Sequence, residues 1–248
     1  LSDNLTLFPN YNINYSMKVI GVCGLIGGGK GTVADILVGE FGFEKLSFAD
    51  SLKDMIASIF FWERCLLEGD TKESREWRET KDVWWSKRLK MDITPRWVLQ
   101  YWGTEVARKS FHDDTWIASL ENKIRNSRDN IVISDCRFPN EIKSIKDAGG
   151  IVIRVKRGEE PEWYKAAISM NAGPERNSSW ALSKDKIGRL GIHASETAWV
   201  GTDFDVVLSN DGSIDELFAK VKDLVLNHLD ANESLPYEGH ADSLNIQS

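Results

Sequence analysis

The chain has 248 residues, 42% of them hydrophobic, which is enough to bury a sizeable core in one large α/β domain or two small ones. Its formal net charge of −7 and pI near 5.3 exclude a protein held on nucleic acid or anionic membrane by bulk electrostatics. Cys23, Cys65 and Cys136 are odd in number and lack CxxC spacing, so neither a disulfide framework nor a zinc site is indicated and a reducing compartment fits best.

In chain order, Leu1 to Ser16 is polar and turn-rich without the layout of a secretory signal. It reads as an N-terminal extension without regular structure, and Met17 as the start of the folded unit. Lys18 to Cys23 is a β-type run, followed by Gly24-Leu25-Ile26-Gly27-Gly28-Gly29-Lys30-Gly31-Thr32 and then an apolar-periodic helix. Glycines between a strand and a helix let the backbone wrap an anion with its N–H groups inward, at the positive end of the helix. Gly24, Ile26, Gly27, Gly28, Gly29, Lys30, Gly31 and Thr32 are therefore candidate ATP-binding residues. Lys30 would reach the β- and γ-phosphates, and Thr32 would offer its hydroxyl to a metal. The strict phosphate-loop pattern has Ser or Thr directly after the Lys; here Gly31 intervenes.

Val33, Ile36, Leu37 and Phe41 share one helical face, which ends at Gly42. Glu44 to Phe48 predicts a second strand, and Ala49-Asp50-Ser51-Leu52-Lys53 leads into a helix toward Phe61. That boundary lies at the carboxyl edge of a parallel sheet, where such folds bind ligands, so Asp50 and Lys53 are acceptor-site candidates. A helix cap and a solvated lysine are their plain structural reading. Trp62 to Lys90 mixes charges of both signs with Trp62, Trp77, Trp84 and Trp85 and reads as an insertion. Thr94-Pro95 starts a helix whose apolar stripe is Trp97, Val98, Tyr101 and Trp102, with Arg96, Gln100, Glu105 and Arg108 as polar members. Asp113 or Asp114 caps the next helix, Trp116 to Arg125.

Ile131 to Asp135 is a buried-strand pattern ending in a carboxylate, where a phosphoryl-transfer enzyme can hold Mg²⁺ directly or through water. Arg137 follows, and Asn140-Glu141 opens a helix that stops at Gly149-Gly150. Ile151 to Val155 is the next strand, with Arg154, Lys156 and Arg157 at its end. Glu160 to Gly191, with Arg176 and Arg189, shows only short helical patches and reads as a lid that closes over phosphates. Phe204 to Leu208 is the last strand. Ser213 caps a helix buried along Ile214, Leu217, Phe218, Val221, Leu224 and Val225, and residues 230–248 form a polar tail.

Five segments together resemble the phage deoxynucleoside monophosphate kinases, a branch of the adenylate-kinase-like P-loop kinases. They are Gly24 to Thr32, Phe48 to Lys53, Pro95-Arg96 through Gly103-Thr104-Glu105, Ser134-Asp135-Cys136-Arg137-Phe138-Pro139-Asn140-Glu141, and His193-Ala194-Ser195-Glu196. The resemblance covers Met17 to Leu229. It implies an α/β P-loop fold with a five-stranded parallel sheet, order 2-3-1-4-5, and helices on both faces. An acceptor-binding insertion over about 50–112 and a lid over about 156–200 would complete it. Lys30, Asp135, Arg137, Arg154 and Arg157 become candidate catalytic residues, and Thr32 and Asp135 candidate metal ligands. Asn210 and Gly212 fall in a loop similar to the donor-base loop. Asp50, Lys53, Arg96, Gln100, Arg108, Arg137, Glu141 and Arg176 are the substrate-binding candidates. The implied activity is transfer of the γ-phosphoryl group of ATP, with Mg²⁺, to a (deoxy)nucleoside monophosphate in the cytoplasm, the host's cytoplasm if the chain is of phage origin. The partners are small-molecule nucleotides, with no nucleic acid and no membrane, and a homodimer is left open.

A phosphomevalonate or dephospho-coenzyme A kinase is the alternative within the reaction class, and a nucleotide-dependent switch the alternative outside it. Asn122-Lys123-Ile124-Arg125 lacks the final Asp of a guanine-reading element.

Overall fold

Valine and isoleucine runs set the centre of the molecule. The computed structural model describes residues 17–229, so the expectations for 1–16 and 230–248 lie outside the described residues. In chain order the elements are β1 (Val19–Cys23), α1 (Lys30–Phe41), β2 (Glu44–Leu46), α2 (Asp50–Phe60), α3 (Lys72–Glu79), α4 (Val83–Leu89), α5 (Pro95–Gln100), α6 (Thr115–Asn126) and β3 (Ile131–Ile133). Then come α7 (Pro139–Asp147), β4 (Ile151–Lys156), α8 (Tyr164–Asn171), α9 (Trp180–Arg189), α10 (Ala194–Thr197), β5 (Val206–Ser209) and α11 (Ile214–Leu224).

The five strands form one sheet in the order β2-β3-β1-β4-β5, every pair parallel, as the resemblance implies. Ile20 stands between Val132 and Ile151 in register. β1 and β3 are buried along their whole length, which is why they read as unbroken apolar runs without alternation. On one face α1 and α11 cover the sheet through Val33, Leu37, Leu217 and Val221. On the other, α6, α7, α8 and α9 cover it through Leu120, Ile145, Tyr164 and Ile187, together with Trp199. The chain leaves β1 and β3 toward opposite faces, so the crevice between their carboxyl ends is the switch point at which open α/β sheets bind ligands.

A third buried cluster lies off the sheet, built by Leu52, Ile56 and Phe60 of α2 with Leu67, Ile93, Val98 and Trp116. Trp62, Trp77 and Trp85 pack half-buried against it, so the mixed-charge stretch folds around tryptophan anchors as α3 and α4. Thr71, Asp82 and Thr94 each accept a backbone N–H at the start of α3, α4 and α5.

Four local expectations are corrected. β2 stops at Leu46, two residues short of Phe48, because the Ser47 and Phe48 N–H groups are drawn to the carboxylates of Asp50 and Asp135. The α5 stripe breaks at Tyr101, where the helix widens into a π-helical stretch, Tyr101–Lys109. Val98 stays buried while Tyr101 turns outward and stacks on Trp97 at 5.0 Å. Ile214 is exposed, because the buried stripe of α11 is Leu217, Val221 and Leu224 and Ile214 lies in its exposed first turn. Asp114 precedes α6 without capping it; its carboxylate accepts from the Asn140 amide at 3.3 Å instead.

The segment expected to show short helical patches holds α8 and α9, whose inner residues belong to the main core.

Candidate active site

The loop after β1 takes its shape from two close approaches. Gly24 has φ +146° and a side chain there would run into the Val155 carbonyl; Gly29, at the N-cap of α1, has φ +98° and faces the Asn210 amide. Only glycine meets both demands without strain. Asn210 in turn donates to the Gly28 carbonyl at 3.0 Å, so the turn after β5 braces the loop. The neighbouring Asp211 accepts the Gly158 N–H at 2.6 Å, joining that turn to the end of β4. Gly212 is exposed beyond it, as are Ile26, Gly27 and Gly31 on the rim of the loop.

Lys30 folds back over the loop and donates to the Gly24 and Leu25 carbonyls, both at 2.9 Å. Burial and the nearby Arg137 charge hold its ammonium below the usual lysine range. An ammonium held by two neutral carbonyls beside another cation has a strong incentive to meet an anion.

Across the crevice, β3 delivers Asp135. Its carboxylate accepts the Ser47 hydroxyl at 2.5 Å and the Phe48 N–H at 3.2 Å, pinning the turn before α2 to the end of β3. Arg137 reaches the opposite way, donating to Glu196 at 3.1 Å and to the Ser195 hydroxyl at 3.5 Å. The His193-Ala194-Ser195-Glu196 segment thus gains a position, as the counter-ion and support of Arg137. Glu141 is buried within the first turn of α7 and accepts the N–H groups of Arg137 at 2.8 Å and Phe138 at 3.1 Å. It also takes the Arg108 guanidinium at 2.8 Å. Burial and the adjacent Asp135 push the Glu141 carboxyl up to about 7 against those three donors.

Between these walls opens a cavity of about 670 Å³, within the range of small-molecule sites. Of the acceptor candidates, Asp50, Lys53, Arg108, Arg137 and Glu141 line it, together with Asp135. Phe48, Leu52, Leu99 and Trp116 supply an apolar stretch of wall. Arg96, Gln100 and Arg176 are not on its lining: Arg96 pairs with Glu79 on the surface, and Gln100 and Arg176 are exposed. Arg157 is exposed too, and Arg189 pairs with Asp185 at 2.7 Å. Arg154 is mostly buried, paired with Glu160 and set against the rings of Tyr164 at 4.7 Å and Trp199 at 5.4 Å. Sequence reasoning missed Ser47, Glu68 and Arg78 of the lining, and Glu196 behind Arg137. Ser47 and Glu196 had a signal, since each lies in or beside a family-like segment; Glu68 and Arg78 had none.

A glycine loop with its lysine, opening beside a walled cavity at the switch point of a parallel sheet, defines a P-loop kinase. No family model matches the chain. A protein of Acanthamoeba polyphaga mimivirus with the provisional name deoxynucleotide monophosphate kinase is 34% identical over 155 residues, 57% of this chain and 75% of that protein. The deoxynucleoside-5'-monophosphate kinase of Escherichia phage T5 is 41% identical over 56 residues, 22% of each chain. The chain belongs to the deoxynucleoside monophosphate kinase family. Solved kinases overlay it loosely. The dephospho-CoA kinase of Campylobacter jejuni is 15% identical with a TM-score of 0.42, covering 86% of this chain and 98% of that one. The shikimate kinase of Aquifex aeolicus is 12% identical with a TM-score of 0.40, covering 86% and 97%. Overlays this loose say nothing about the acceptor.

Proposed function

We propose that the chain transfers the γ-phosphoryl group of ATP to the 5'-phosphate of a (deoxy)nucleoside monophosphate, giving the diphosphate and ADP. The observation that carries this reading is the glycine loop with its Lys30 at the switch point of the sheet, across from a 670 Å³ cavity lined by Asp135 and Arg137, with the Arg137 charge felt at Lys30. Two cations carried by different strand ends would then flank the donor and acceptor phosphates. An acceptor phosphate oxygen forms the new bond to the γ-phosphorus while the bond to the β,γ-bridging oxygen breaks, and ADP leaves with that electron pair. The protein's part is alignment, cations around the moving group and exclusion of water.

Lys30 and the loop N–H groups hold the donor, and Arg137, oriented by Glu196, holds the acceptor phosphate. Asn210, against the loop, stands beside the donor. The donor set suits Mg²⁺: Asp135 and Thr32 offer hard oxygens, and Mg²⁺ in nucleotide sites takes most of its ligands from phosphate and water. When bound, Mg²⁺ would neutralise charge on the bridging phosphate oxygens. Viral relatives suit nucleotide supply for DNA synthesis in a host cytoplasm.

The test is an ADP-coupled assay with each deoxy- and ribonucleoside monophosphate, and with phosphomevalonate and dephospho-coenzyme A as competing acceptors. Turnover with at least one nucleoside monophosphate, dependent on ATP and Mg²⁺, is expected. ATP hydrolysis indifferent to every monophosphate would point to a switch, and turnover with only the competing acceptors would overturn the acceptor assignment.

A further inference from the structure

The cations that line the cavity are Lys45, Lys53, Arg78, Arg108 and Arg137. Four are matched to carboxylates: Lys45 to Asp35 at 2.9 Å, Lys53 to Glu68 at 2.6 Å, Arg108 to Glu141 at 2.8 Å and Arg137 to Glu196 at 3.1 Å. Among the described residues, Arg78 has no carboxylate partner. Its one hydrogen bond is a long one, 3.4 Å from Nη1 to the Glu68 carbonyl, and its Nε is buried without an acceptor. The Glu68 carboxylate is engaged elsewhere, with one oxygen accepting from Lys53 and the other from Arg64.

The guanidinium occupies the space beside Gly69, whose φ is +67° and where a Cβ would fall on the guanidinium atoms. Burial and the nearby Arg96 hold its pKa below the usual arginine range. A charged fork of donors kept partly desolvated, with room made for it by a glycine, is arranged to be completed by something else.

Position says which part of a ligand that is. On the proposed reading Arg137 holds the acceptor phosphate, and its charge is felt at Lys30. Arg78 stands on α3, where its charged neighbours are Arg96, Glu79, Glu68 and Arg75. The apolar stretch of Leu52, Leu99 and Trp116 also lines the cavity. A nucleoside monophosphate carries its base away from the phosphate, and the charges felt at Arg78 include neither Arg137 nor Lys30, so on this reading the group that meets Arg78 is a base edge.

Resting on the monophosphate kinase reading, we propose that Arg78 is a specificity-determining residue that reads an acceptor base presenting two neighbouring hydrogen-bond acceptors. A guanidinium has only donors, and its fork suits paired acceptors. Guanine offers O6 and N7, and cytosine offers O2 and N3. Adenine sets its 6-amino donor beside both N1 and N7, and thymine sets N3–H between its carbonyls. Guanine and cytosine are therefore the bases that Arg78 favours.

The experiment measures kcat/KM of the full chain for dGMP, dCMP, dAMP and dTMP, in wild type, Arg78→Gln and Arg78→Lys, with thermal melts of each. Lysine keeps the charge without the fork, so it decides the matter even where glutamine unfolds the chain. The expected result is a loss of about 10- to 100-fold on dGMP and dCMP in both variants, with dAMP and dTMP changed by less than about threefold. Equal losses on all four substrates would make Arg78 a phosphate or sugar contact and overturn the inference, as would no loss, or a wild type that turns over dAMP and dTMP only. A wild type inactive on all four while phosphorylating another acceptor would overturn the monophosphate reading as well.

Discussion

The two walls of the site, the phosphate loop proposed to hold the donor and the side-chain wall proposed to hold the acceptor, are built by different means. The donor wall is backbone: glycines at unusual φ, carbonyls that hold Lys30, and a helix start, all within Gly24 to Thr32. The acceptor wall is side chains paired across the sequence, with Ser47 bound to Asp135, Arg108 to Glu141 and Arg137 to Glu196. A loop made of local backbone geometry has one way to work. A wall made of long-range pairs can be re-cut pair by pair, and this difference predicts how each wall responds to damage.

Lys30→Ala should do the most harm. On the proposed reading it removes a cation held for the donor phosphates, and a loss of about 10³-fold or more in kcat is expected, with circular dichroism and melting temperature unchanged. A collapse of the folded signal would show that the lysine's hydrogen bonds to Gly24 and Leu25 are structural, and the contrast between the walls would fail. Gly29→Ala comes next. A side chain at φ +98° beside Asn210 must shift the loop, so roughly 10²-fold in turnover should go while the KM for the acceptor is held. An equal rise in acceptor KM would mean that the two walls are mechanically joined.

Glu196→Gln tests the acceptor wall. It keeps the shape behind Arg137 and removes the charge, so kcat/KM for the acceptor should fall by about tenfold, with Glu196→Asp partly restoring it and the KM for ATP little changed. If ATP affinity falls as far as acceptor affinity, Glu196 serves Lys30 more than Arg137.

The smallest effect is one of stability. Because the folded chain raises Glu141 from 4.5 to about 7, it holds a proton through that window that the unfolded chain has released. Stability from this group is therefore complete below about pH 4.5 and is lost as pH rises toward 7. Glu141→Gln should flatten that part of the melting curve by a few degrees. A wild-type slope of the opposite sign would mean that the three donors to Glu141 outweigh its burial.

The same division governs what could be read from the sequence. The central strands and the loop were legible because buried parallel strands and a glycine-rich turn are written in consecutive residues, whereas the sheet order came only through the family resemblance. Asp135, Arg137 and Glu141 were legible as one short segment. Arg78 was not: nothing near it in sequence distinguishes it from Arg75 on the same helix, and its meaning comes from Gly69 below it and from the preoccupation of Glu68 with Lys53 and Arg64. The burial of Ile187 was hidden for a similar reason, since α9 carries most of its residues outward and buries only Ser183 and Ile187.

The third buried cluster has a consequence for how strain travels through the molecule. Leu52, Ile56, Phe60 and Ile93 stabilise the acceptor side from a core of their own, separate from the one beneath the phosphate loop, and α6 links the two by placing Trp116 in one and Leu120 in the other. Strain from a substitution in that cluster therefore reaches the phosphate loop only through α6 and the cavity wall that Leu52 and Trp116 share with Asp135 and Arg137.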